Sequence, residues 1–126
     1  MVNIQNQIQH WRNGASEDWQ VAVELAELSR TRHSLFFAHL ALEKTLKAHI
    51  CRKLNNLAPR IHALIRLAEM VDFNFSQEQL SFLARFDRYQ LEGRYPDMLP
   101  PAPDIETTQE ELKQAEEILQ WLTAQY

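Results

Sequence analysis

A single cysteine, Cys51, stands in this chain of 126 residues, so no internal disulfide can form and a reducing cytoplasm is the expected compartment. Glycine is almost as scarce, with only Gly14 and Gly93. No Walker loop or dinucleotide fingerprint is present, and no Ser/His/Asp set connects in the sequence. Long apolar runs are missing too, and nothing approaches the length of a membrane span. Met1 to Gln7 shows no basic flank followed by an apolar run, so no signal peptide is expected. Four of the five prolines crowd between Pro96 and Pro103, which leaves the rest free to be helical. Positive charge is in deficit: a formal net charge of −4 argues against broad electrostatic binding to nucleic acid or to an anionic membrane. A local basic patch remains compatible with it.

What is present is helical periodicity. Ile4, Ile8 and Trp11 recur at helical spacing before Asn13-Gly14 intervenes; Ser16 then resembles an N-cap, with Glu17 and Asp18 in a first turn. Periodicity alone leaves open whether Asn13-Gly14 breaks this element or lies inside one helix from about Ile4 to Arg30. A second helix is predicted from Ser34 to Leu54, apolar almost all round in its first half and hence deeply buried. A third covers Ile61 to Val71. Ser76 with Gln79 forms a capping box that opens a fourth. Thr108 with Glu111 is expected to cap a last helix, whose Leu112, Ala115, Leu119 and Leu122 form a packing seam. No strand-like alternation of useful length and no internal repeat occurs. The expected fold is all-α, a single domain over residues 1–126, built as an antiparallel bundle of four to five helices.

One stretch concentrates unusual chemistry. From Arg85 to Asp97, three arginines and two tyrosines gather where Gly93 and Pro96 are expected to stop the fourth helix. Arg85, Arg88 and Arg94 suit a nucleotide or phosphate, because guanidinium forks match phosphate oxygens. Arg88 with Glu92 equally suits an intrahelical ion pair, and Asp87, Glu92 and Asp97 balance the arginines formally. Tyr89 and Tyr95 are expected to be half-buried packing residues. Lys44 and Lys47 are further candidate phosphate contacts, while Glu43 and Lys47 at i and i+4 also read as a surface ion pair. His62, just beyond Pro59, is expected to hold a backbone or carboxylate partner. His33, His39 and His49 form no Glu-x-x-His pattern, and no metal or cofactor is expected. Trp11, Trp19, Phe36, Phe37, Phe82, Phe86 and Trp121 exceed what a small bundle readily hides, which suggests a homodimer.

Three segments carry a family resemblance: Phe37 to Ala48 with its E-K-x-L-K-A core, Ala58 to Leu64 with a proline-led histidine, and Tyr89 through Arg94-Tyr95-Pro96-Asp97. Together they resemble the HEPN domain family over roughly Trp11 to Trp121. The resemblance implies an up-and-down, dimeric helical bundle, often paired with a minimal nucleotidyltransferase in toxin–antitoxin systems. It also implies two functional classes. Many members are metal-independent ribonucleases using an Arg…His pair separated by four to six residues near a dimer interface; others bind nucleotides or act as non-catalytic partners. In the ribonucleases that pair lies late in the bundle, whereas here no histidine follows His62 and the pair with the permitted spacing is Arg32 and His39. Two helical turns separate these residues, about 10 Å along the axis. The expected function is therefore a cytoplasmic interaction or nucleotide-binding protein rather than an enzyme. A ribonuclease toxin using Arg32 and His39 across a dimer, and a non-catalytic helical scaffold, are the alternatives.

Overall fold

The computed structural model describes residues 3–91, 94–99 and 101–126. Five α-helices appear in the order α1 (Ile4–Glu27), α2 (Thr31–Leu54), α3 (Leu64–Glu69), α4 (Gln77–Phe86) and α5 (Ile105–Thr123). Single 3-10 turns follow α4 at Asp87–Tyr89 and precede α5 at Pro96–Met98. No strand occurs among the described residues.

The first two helices form a long hairpin. Ser29, with φ of 60°, turns the chain between them, and the Ser34 hydroxyl donates 2.7 Å to the carbonyl of Ala22. α1 is one unbroken helix of 24 residues: Asn13-Gly14 lies inside it and Ser16 caps nothing. The reason is packing. A Cβ on Gly14 would meet Cδ of Lys44 at 3.1 Å, so the glycine clears a path for the lysine as it crosses α1. That passage offsets the roughly 1 kcal/mol a mid-helix glycine costs.

α2 is the spine. Leu35, Leu42, Leu46 and Ile50 are fully buried on it, and α1, α3 and α5 all pack against it. It begins three residues earlier than expected, at Thr31, whose hydroxyl donates to the carbonyl of Pro103. It closes on Asn55 in the left-handed conformation, with Arg52 and Lys53 in the last turn, where the helix dipole favours cations. Phe82, Phe86, Ala115, Ile118 and Leu122 complete the core from α4 and α5.

The boundaries of α3, α4 and α5 differ from expectation as well. α3 covers only Leu64–Glu69, because its first free N–H is capped from another element: Leu64 N donates to the Asp87 carboxylate at 2.9 Å. α4 opens at Ser76 with the full capping box but stops at Phe86, where Asp87 leaves the helix. The Gly93 stop and the Arg88–Glu92 pair lie outside the described residues. α5 starts at Asp104, whose carboxylate accepts from Thr107 N at 2.7 Å, and not at Thr108. Thr108 is instead fully buried in the first turn, its hydroxyl donating to the Asp104 carbonyl. Phe82 and Phe86 are buried; Trp11, Trp19, Phe36, Phe37 and Trp121 are half-buried.

Candidate functional site

Two groups of charged side chains stand out, one inside α2 and one at the end of α4. The first is built around Glu43. Its Oε2 accepts from Lys47 Nζ and from His62 Nδ1, each at 3.0 Å, and its Oε1 faces His39 Nδ1 at 3.7 Å. His39 Nε2 reaches Asp87 Oδ1 at 2.9 Å, the same oxygen that caps α3. Asp87 thus joins α2, α3 and the end of α4, while Glu43 draws the segment after α2 onto the spine through His62.

Helical spacing explains the α2 side of this cluster. His39, Glu43 and Lys47 lie four residues apart and form one row, and Lys47 extends over the Trp11 ring of α1, 5.2 Å from its centroid. The Glu43–Lys47 pair is not the surface pair its spacing suggests: both residues are 4% exposed. Desolvation makes such a pair costly to break and weak as a solvent-facing contact. His62 does hold a carboxylate partner, and its side chain is 47% exposed. Among the described residues no group of three or more His, Cys, Asp or Glu is arranged to hold a metal ion.

The remaining candidates are dispersed. Lys44 crosses Gly14 to Asp18, with Nζ 2.7 Å from Oδ2. Arg85 lies over the Phe82 ring and reaches α5, where it donates to Glu111 Oε1 at 2.7 Å and to Gln114 at 3.2 Å. Arg94 folds back on the chain and donates to the carbonyls of Gln90 and Asp87. Arg88 sits 5.7 Å from the Tyr89 ring centroid and, among the described residues, has no ion-pair partner. It lines a cleft with Tyr89, Pro101, Pro103 and Asp104. Tyr89 is buried, and burial with the nearby Glu111 carboxylate pushes its phenol up. Tyr95 departs from the expected half-burial: it is 71% exposed, and Met98 beside it is 60% exposed.

The alternative pair, Arg32 and His39, is split by environment. Arg32 is half-buried near the start of α2, whereas His39 is fully buried, stacked beside Phe86 and held by Asp87. Sequence reading missed three partners: Asp18, Glu111, and Asp87 as the acceptor of His39. Separations of 26 to 48 residues hide such pairs, and only the acid's position at a helix end hinted at a use for Asp87.

The HEPN domain profile matches residues 8–125. The crystal structure of TT1696 from Thermus thermophilus is similar in fold, with a TM-score of 0.80 at 22% sequence identity, covering 96% of this chain and 99% of that one. No curated protein matches the chain.

Proposed function

Because the chain belongs to the HEPN domain family, we propose that it acts as a non-catalytic interaction protein, a homodimer that pairs with a small nucleotidyltransferase in a toxin–antitoxin system. Within this reading, the Arg88 face at the end of α4 contacts the partner or a nucleotide phosphate. The burial of His39 carries the proposal. A general acid or base must come within hydrogen-bond reach of the proton it moves, and this imidazole has no exposed surface and is already held by Asp87. Of the five candidate cations, Lys44, Lys47 and Arg85 are each matched to a carboxylate and Arg94 turns back onto two carbonyls, which leaves Arg88 as the one among them best placed to meet an outside anion. Exposed Tyr95 and Met98 on the same connection add the apolar area a protein partner would cover.

Native purification with mass spectrometry of the co-purifying proteins tests the proposal. Wild-type protein is expected to bring down a nucleotidyltransferase in stoichiometric amount, and Arg88→Ala to retain less of it. Recovery of the chain alone, together with nucleotide affinity unchanged by Arg88→Ala, would overturn both the partner and the contact residue.

A further inference from the structure

α1 and α5 both pack on α2 but barely touch each other. The space between them is a cleft of about 370 Å³, within the range of small-molecule sites. On one side Gln9, Arg12, Asn13 and Ser16 repeat at three- and four-residue steps along one face of α1; on the other stand Thr123 and Tyr126. The residues that line it include one arginine and no aspartate or glutamate, in a protein whose acids outnumber its lysines and arginines 17 to 13.

Arg12 is mounted rather than loose. Its guanidinium carbon lies 3.8 Å above the Tyr126 ring, and the same ring stacks on His49 with centroids 4.0 Å apart and planes at 15°. His49 Nε2 is hydrogen-bonded to the Leu122 carbonyl at 2.8 Å, so the platform is anchored in the core. Stacking occupies the flat face of a guanidinium and leaves its N–H edges to grip an oxyanion with two parallel bonds. Burial pushes the Tyr126 phenol up to about 12, so it stays protonated beside Arg12 well into the alkaline range. The cleft is also polarised. Half-buried Trp19 and Leu119 line its other end, and Glu116 stands in the adjoining groove beyond them.

We infer that this cleft binds a small planar anion, an aromatic ring carrying a carboxylate or a phosphate, with the oxyanion on Arg12 and the ring directed towards Trp19. The Gln9 and Asn13 amides, bonded to each other at 2.7 Å, stand beside the ring edge. This site is separate from the Arg88 face, and its inference is independent of the function proposed above.

Titration of isotope-labelled protein with phenyl phosphate and with indole-3-carboxylate, followed by amide and indole NMR shifts, tests it. At least one probe is expected to give saturable shifts centred on residues 9–19 and the Trp19 indole. Response to phenyl phosphate alone assigns the phosphate class, and response to the carboxylate alone assigns that class. Arg12→Gln is expected to weaken binding about tenfold or more, Arg12→Lys to weaken it less, and Arg66→Ala, on the exposed face of α3, to leave it unchanged. The Arg12→Lys protein keeps the comparison readable if the glutamine variant loosens Tyr126. No saturable shift at millimolar concentration with either probe, or shifts equal in wild type and both Arg12 variants, would overturn the inference.

Discussion

The middle of α2 and the connection from α4 to α5 use similar residues in opposite ways. On α2, Glu43 and Lys47 are buried with His39, the carboxylate 3.0 Å from the Lys47 ammonium and 3.7 Å from the imidazole. Between α4 and α5, Arg88, Arg94 and Tyr95 are exposed, and Arg94 donates to two backbone carbonyls. Charge identity therefore says little about role. Solvent exposure decides, because a desolvated ion pair is tied to its partner by the cost of separating it, whereas an exposed arginine exchanges water for a ligand cheaply. Asp87 stands on the border: it holds His39 and the α3 start, and the exposed connection begins one residue later with Arg88.

The contrast breaks most visibly at Glu43. Glu43→Ala strands Lys47 and removes the anchor of His62, and is expected to cost about 3–5 kcal/mol in denaturant unfolding. A loss below about 1 kcal/mol would mean that water reaches the cluster freely. Asp87→Ala comes next. It removes the acceptor shared by His39 and the Leu64 amide and is expected to cost about 1–3 kcal/mol, with faster hydrogen exchange in α3 as its local signature. An unchanged exchange rate at Leu64 would contradict the cap.

A smaller effect is expected in alkali. Burial raises the folded-state pKa of Tyr126 from 10.0 to about 12, and burial also raises that of Tyr89. Between pH 10 and about 12 the unfolded phenol at position 126 has lost its proton while the folded one keeps it, so stability falls as pH rises through that window. Tyr126→Phe is expected to flatten part of this decline, the Tyr89 share remaining; an identical alkaline limb in wild type and variant would refute it. At the exposed end, Arg88→Ala is expected to change stability by no more than about 0.5 kcal/mol, measured by the unfolding midpoint. A larger loss would place Arg88 with the internal ties.

Much of this architecture was legible in the sequence. The Ser76 capping box depends on neighbours three residues apart and appears where the pattern puts it; of the α5 seam Ala115 and Leu122 are buried, but Ile118 shares that row while Leu112 and Leu119 are half-buried beside it. Gly14 left the first helix undecided because a glycine that breaks a helix and one that lets Lys44 pass look alike until the crossing side chain is known. Glu43 and Lys47 misled, because i,i+4 spacing is the same on a wet face and a dry one. Ser16 and Thr108 had the composition of caps, but Asn3 and Asp104 take those positions because the helices start earlier. The bond between His39 and Asp87 spans 48 residues and has no local signal at all.

RNA cleavage tests most directly the claim that the α2 charges are internal ties and not a reaction centre. Purified wild-type and Arg32→Ala proteins would be incubated with RNA in the presence of a chelator. The account predicts no cleavage above the protein-free control for either protein. Cleavage by the wild type that disappears in a stably folded Arg32→Ala protein would contradict it.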